Sequence, residues 1–290
     1  MARYLLLSGA PARQARSVFS FPWKGRGRSQ PWVKNRPRPS RGKNEPGGRR
    51  VECMEESMTT TTTPTPRNET VREEADLYRA SPELTSVVSY PQRCNRWGDA
   101  RYRGNCDGSL FKELVLRYRC KRVADPMMGS GTTRDVIAGL NRNTGTRIRY
   151  WGGDLRMGFD LYRERPKGTF DLVWLHPPYF NIIDYGGGEK DLSSDDHYPR
   201  FLTKLTVCLR NCYEVLEPGG HLAVLVADVR RAGCYYPLGR DVMNMEPCLG
   251  DIRSVIVKSQ HNCKSDGINY ARMKHPPIKH EYCVVFEKTG

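Results

Sequence analysis

Two short stretches place side chains at a spacing that could do chemistry. In "DLVWLHPPYF" (171–180), apolar residues run into His176, a group that takes or gives a proton near neutrality. Pro177 and Pro178 fix φ at the next two positions and hold the backbone after the histidine rigid. Tyr179 and Phe180 then offer flat faces on which a planar ligand could stack. The second stretch, "VADPMMGSGTT" (123–133), sets Asp125 and Pro126 ahead of Gly129 and Gly131, with Thr132 opening a helix. Glycines in such a turn let the backbone approach a ligand closely and leave amides free to donate.

The second stretch narrows the ligand. It lacks the Gly-Lys-Ser/Thr of a P-loop, and Gly-Ser-Gly is not the dinucleotide pattern Gly-x-Gly-x-x-Gly. Asp125 at the mouth would repel a pyrophosphate and attract an ammonium group. Asp154, at the end of "TRIRYWGGDL", is placed to hold a pair of ribose hydroxyls. A ligand with a ribose, an amino-acid end and no phosphate meets all three constraints, and S-adenosylmethionine is such a ligand.

Both stretches need strands to deliver them to one edge. The sequence predicts a helix over 109–118, then a short strand, glycine turn and helix in "KRVADPMMGSGTTRDVIAGL". A second strand ends on Asp154, and a third, "FDLVWL", ends at the His-Pro-Pro stretch. "DDHYPRFLTKLTVCLRNCYEVLEPGG" has apolar residues at helical spacing, stopped by Pro-Gly-Gly. "HLAVLVADV" reads as a buried strand, "PLGRDVMN" as a short helix, and "IRSVIVKS" and "EYCVVFEK" as closing strands. Continuous apolar strands alternating with helices imply an α/β fold with a mostly parallel sheet covered on both faces.

The chain has 290 residues and a formal net charge of +15, but the charge is unevenly spread. Residues 1–50 hold thirteen Lys or Arg and a single acid, Glu45, which leaves 51–290 close to neutral at +3. Net charge therefore carries little weight for a polyanion partner. Residues 1–70 are expected to be a disordered basic segment, and 76–290 a folded domain. Residues 1–57 hold most of the excess charge and no core-forming pattern, so a chain starting at Met58 is expected to fold. The ten cysteines form no Cys-x-x-Cys pair and no zinc spacing, which points to reduced thiols, a cytoplasmic compartment and no metal. No apolar run is long enough to span a bilayer.

The motifs resemble those of the amino-methyltransferases of DNA. "DPMMGSGTT" is similar to that family's cofactor motif, Asp-Pro-Phe-x-Gly-Ser-Gly-Thr-Thr, and "HPPYF" to its catalytic motif, Asp/Asn/Ser-Pro-Pro-aromatic. "RYRGNCDGS" resembles the approach segment that contacts the methionine end of the cofactor, which adds Asn105. "IKHEYCVVFEK" resembles the family's last strand. The likeness covers roughly residues 86–288. It implies a Rossmann-like methyltransferase fold with a seven-stranded-type sheet, S-adenosylmethionine as cofactor, and double-stranded DNA as partner, in a DNA-methylation or restriction-modification setting. The target would be an exocyclic amine, adenine N6 ahead of cytosine N4, with Tyr179 stacking on a flipped base.

The resemblance further implies that His176 and the Pro177 carbonyl accept the hydrogens of that amine. His176 departs from the family, which carries Asp, Asn or Ser there; only a neutral imidazole can accept. Methylation of an RNA base, or a degenerate member that only binds nucleic acid, remain the alternatives. A second His-Pro-Pro at 275–277 follows no strand and precedes no aromatic, so it reads as loop. Target contacts are expected from the loop 184–196 and from the basic loop 258–279, with Lys264, Tyr270 and Arg272 as phosphate or base contacts.

Overall fold

The computed structural model describes residues 76–81, 84–261, 263 and 273–290. The loop residues Lys264, Tyr270 and Arg272, and the whole segment 1–70, lie outside them.

Seven strands form one sheet among the described residues. They are β1 (Val87–Ser89), β2 (Arg122–Asp125), β3 (Arg149–Gly152), β4 (Phe170–Leu175), β5 (Leu216–Val226), β8 (Asp251–Ser259) and β9 (His280–Glu287), in the order β1-β8-β9-β5-β4-β2-β3. A separate hairpin, β6 (Val229–Arg231) with β7 (Cys234–Tyr236), follows β5. Pairing is parallel from β3 through β2 and β4 to β5, and again between β1 and β8. Only β9 is reversed, running antiparallel to both β5 and β8. This is the mostly parallel, Rossmann-like α/β sheet that the sequence implies. The carboxyl ends of β2, β3, β4, β5 and β8 therefore share an edge with the amino end of β9.

Alternation along β4 divides the core into two layers. Val173 and Leu175 face a cluster with Phe201, Leu205 and Leu209 of α3 (Tyr198–Glu214). Leu172 and Trp174 face the other side, against Leu110, Phe111 and Leu114 of α1 (Ser109–Arg117) and Val136, Ile137 and Leu140 of α2 (Thr132–Thr144). Two short helices, α4 (Leu238–Met243) and α5 (Glu246–Leu249), complete the α3 side.

Three boundaries differ from the sequence expectation. Pro-Gly-Gly does not stop α3, which ends at Glu214; it loops out within β5, where the register moves from Phe170↔Leu216 to Leu172↔His221. The Lys288 backbone clamps that loop, its carbonyl accepting from Gly219 N–H at 2.8 Å and its amide donating to the Gly220 carbonyl at 2.9 Å. Residues 87–89, to which the sequence reading gave no strand, pair with β8 as an edge strand. Residue 229, expected at the end of a strand, begins the β6–β7 hairpin instead.

Candidate active site

Asp125 ends β2, and its carboxylate turns back to hold the glycine turn. Thr133 Oγ1 donates to Oδ2 at 2.5 Å and the Met127 amide to Oδ1 at 3.1 Å. Burial raises this carboxyl to about 7, against the pull of the Thr133 and Met127 hydrogen bonds. Gly129 has φ of +53°, and a Cβ there would come within 3.0 Å of the Tyr102 ring. Its amide donates to Asp154 Oδ2 at 3.0 Å, which ties the turn after β2 to the acid two residues beyond β3. Gly131, φ +86°, sits at the N-cap of α2. Asp154 also accepts from Arg156, whose guanidinium lies 4.7 Å over the Tyr102 ring. Asn105 donates to the Asp99 carbonyl at 2.8 Å and accepts from Thr132 Oγ1.

These groups converge. Asn105, Asp125, Pro126, Gly129, Thr132 and Asp154 all line a cavity of about 290 Å³, near the lower end of small-molecule sites. His176 and Pro178 line the same cavity from the end of β4. Gly131, Pro177 and Tyr179 do not reach its wall. Tyr102, Tyr185 and Arg156, which the sequence reading did not single out, do. The resemblance alone flagged the segment that holds Tyr102; Tyr185 lies in the loop 184–196, which the sequence marked for target contacts and which lends this cavity Tyr185 and Asp191. Two carboxylates at adjacent strand ends, with aromatic and thioether walls, suit a ligand that carries hydroxyls and a cation.

Phe180 is placed elsewhere than expected. Its φ is +54°, which turns the ring inward; it is 2% exposed and packs against Tyr236, Tyr198 and Phe201 at centroid distances of 5.1, 5.2 and 5.5 Å. It is a core residue in this fold, and no base can stack on a ring so enclosed.

A chain of polar groups runs inward from His176. Its Nε2 lies 2.8 Å from the Tyr179 hydroxyl, which donates to Glu281 Oε1 at 2.6 Å. Lys258 Nζ then bridges Glu281 Oε2 at 2.9 Å and Asp107 Oδ2 at 3.1 Å. Asp107, Lys258 and Glu281 are 9%, 7% and 7% exposed, so the three charges are largely desolvated. Burial pushes the Glu281 carboxyl up, but Lys258, then His176 and the Tyr179 hydrogen bond, outweigh it and leave it below the ordinary range. Asp107 is held low in the same way, burial being overcome by Lys258 and the Ser109 amide. Burial lowers the His176 imidazole, with Glu281 opposing, and raises the Tyr179 phenol well above its usual value. Sequence reading missed Asp107, Lys258 and Glu281. The available signal was a charge beside the apolar run of each of two strands, Lys258 after "VIV" in β8 and Glu281 before "CVVF" in β9, at the ends that meet this edge.

No protein-family model matches the chain, and no curated protein sequence matches it significantly. Among solved structures it is similar to a protein of Thermus thermophilus, provisionally described as a DNA modification methylase and complexed with S-adenosyl-L-methionine. Identity there is 26% over 45% of this chain and 49% of that one, with a TM-score of 0.31. The chain thus spans about half the length of that protein. It is also similar to TrmN of Thermus thermophilus (17% identity, 62% and 48% covered, TM-score 0.31) and to the N-methyltransferase NodS of Bradyrhizobium japonicum (12%, 61% and 93%, TM-score 0.35). These superpositions are loose; the fold is fixed by the strand order described above.

Among the described residues, no three His, Cys, Asp or Glu side chains cluster as metal ligands would, and no helix is long and apolar enough to cross a membrane.

Proposed function

We propose that this chain is an S-adenosylmethionine-dependent methyltransferase acting on the exocyclic amine of a base in double-stranded DNA, adenine N6 ahead of cytosine N4. The observation that carries the reading is a juxtaposition. β2 and β4 are neighbours in the sheet, so the glycine turn and His176 open on one cavity at the carboxyl edge, where ligands of open α/β sheets bind. The reading takes 76–290 as the methyltransferase domain, 1–70 as a basic segment outside it, and the cytoplasm as the compartment.

Asp125 and the Gly129 backbone would hold the amino-acid end of the cofactor, and Asp154 the ribose. When bound, S-adenosylmethionine supplies a methyl on a sulfonium, whose S–C bond breaks with its electron pair left on sulfur. The protein's part is to prepare the nucleophile. An aromatic amine is a poor one because its lone pair is delocalised into the ring. Acceptors that take its two hydrogens draw the nitrogen toward a tetrahedral geometry and free that pair. Neutral His176 is one acceptor. By the resemblance the Pro177 carbonyl is the other, although Pro177 does not itself line the cavity; no hydrogen bond among the described residues engages it, whereas the Pro178 carbonyl is occupied by Phe180 N–H at 3.0 Å. The nitrogen sheds one proton as it gains the methyl, and His176 is placed to take it. Catalysis is thus mainly positioning.

The test is to incubate the full chain with methyl-labelled cofactor and either duplex DNA or structured RNA, then identify the labelled nucleoside by mass spectrometry. N6-methyl-2′-deoxyadenosine or N4-methyl-2′-deoxycytidine from the DNA is expected. Label in RNA alone would move the substrate, and failure to bind the cofactor would overturn the reading.

A further inference from the structure

The polar chain behind His176 fixes more than the position of the ring. The Tyr179 hydroxyl has one hydrogen and two close neighbours, Glu281 Oε1 at 2.6 Å and His176 Nε2 at 2.8 Å. Glu281 is paired with Lys258 at 2.9 Å and is ionised, so it can only accept. Two oxygens 2.6 Å apart without a hydrogen between them would repel, so the Tyr179 hydrogen belongs to Glu281. The tyrosine oxygen can then only accept from His176, which requires the hydrogen on Nε2. In the neutral ring that leaves Nδ1 as the sole acceptor, and no hydrogen bond among the described residues engages it.

We infer that Glu281, acting through Tyr179, is a positioning residue that locks His176 in its Nε2–H tautomer and so reserves Nδ1 as the acceptor offered to the substrate amine. This rests on the methyl-transfer reading for its purpose, but not for its existence. The free imidazole exchanges its proton between nitrogens, and an unanchored His176 would spend part of its time with Nδ1 protonated and unable to accept. Where Asp, Asn or Ser stands in the resembling family, no tautomer needs selecting. A histidine at this position does need it, and Glu281 reaches the site because β9 is reversed and begins at the edge where β4 ends.

The geometry makes one substitution especially informative. In Glu281→Gln, the amide oxygen must face Lys258, an obligate donor, so the amide NH2 faces Tyr179. The tyrosine then accepts from Gln and gives its hydrogen to His176 Nε2, and the relay runs backwards. The neutral histidine becomes Nδ1–H.

The experiment is nitrogen-15 NMR of histidine-labelled full chain, with the His176 signals assigned by their loss in His176→Asn. The wild type should show Nε2 protonated and Nδ1 bare at neutral pH, and Glu281→Gln the opposite. Tyr179→Phe should leave neither tautomer dominant. In single-turnover methyl transfer, Glu281→Gln should cost on the order of 10²-fold, the low end of what acid–base groups supply, with cofactor affinity unchanged. In a His176→Asn background the same substitution should cost no further rate, because an amide oxygen accepts without a tautomer. Nδ1–H in the wild type, or the same tautomer in both proteins, would overturn the inference while leaving methyl transfer intact. Equal losses in the two backgrounds would make Glu281 merely structural. A chain that binds no cofactor would sink the functional reading, and the spectra would still decide the tautomer.

Discussion

Lys258→Met removes the cation that bridges two buried carboxylates. Lys258 is 7% exposed and lies 2.9 Å from Glu281 and 3.1 Å from Asp107, each also nearly sealed from water. Methionine fills most of the volume, so the cost is electrostatic. Breaking a buried pair in this way costs about 3–5 kcal/mol, because uncompensated charge is left inside. For a domain of this size, each kcal/mol is worth about 2–4 °C, so Tm should fall by roughly 6–20 °C at pH 7. The sign with pH follows from the carboxylates. In the native protein both are held below their ordinary pKa values, so their stabilisation is present at neutral pH and is lost only as pH falls through those low values. Without Lys258, burial outweighs the weaker pulls that remain, those of His176 and Tyr179 on Glu281 and of Ser109 on Asp107, and raises both, so the variant takes up protons and recovers as pH falls from 7 toward 5. The gap between the two proteins should therefore narrow on acidification. Adding Glu281→Gln to Lys258→Met should be neutral or stabilising, since it removes a stranded charge. Calorimetric scans from pH 5 to 8 measure all of this. A Lys258→Met protein within about 2 °C of wild type at pH 7, a bound far below the fall just given, would refute the reasoning; so would a gap that widens in acid.

The remaining predictions concern the cavity and its edge. Methyl transfer should stay level as pH drops through about 6.5, the free imidazole value, and fall only below it, because burial lowers the His176 pKa; stopped single-turnover reactions from pH 5 to 8.5 test this. His176→Ala should lose transfer yet bind cofactor normally, as the glycine turn sits on another strand, and titration calorimetry beside the rate assay separates the two. Gly129→Val should abolish cofactor binding, since its φ of +53° and the Tyr102 ring 3.0 Å from a Cβ leave no room for a side chain. Asp125→Asn should gain stability relative to wild type as pH rises from 5 to 8: a carboxyl raised to about 7 favours the fold while protonated and loses that contribution as it ionises, which urea unfolding across that range would read. Phe180→Ala should cost about 3–5 kcal/mol of stability, the range for an emptied aromatic core site, in the same urea assay.

What the sequence made legible was what is local in it. Asp125 through Thr133 read as strand, turn and helix because glycine spacing and apolar periodicity are properties of neighbouring residues. His176 read as a strand-end group for the same reason. The chain from His176 to Asp107 was not legible, since it joins segments up to 174 residues apart whose meeting depends on the reversal of β9. Phe180 misled because its left-handed φ is rare for a bulky residue, and an extended backbone would have pointed the ring elsewhere. Pro-Gly-Gly normally ends a helix; here the helix had already stopped, and Lys288 holds those residues as a bulge in the following strand.

The central place of β9 also governs how the molecule can be made. Residues 280–287 form an interior strand, with β5 on one side and β8 and β1 on the other. Until they arrive, β5 presents an open, apolar edge, and β8 with β1 has nothing to dock against. β1 itself pairs with a partner 170 residues later in the chain. Such distant pairings are slow to close, and a nascent chain short of residue 280 holds two incomplete half-sheets. The charged pair Lys258–Glu281 forms in the same event that seals them. Closure of the sheet and assembly of the candidate site are therefore expected to coincide, and a chain cut short of residue 280 should expose sticky strands without Glu281 in place.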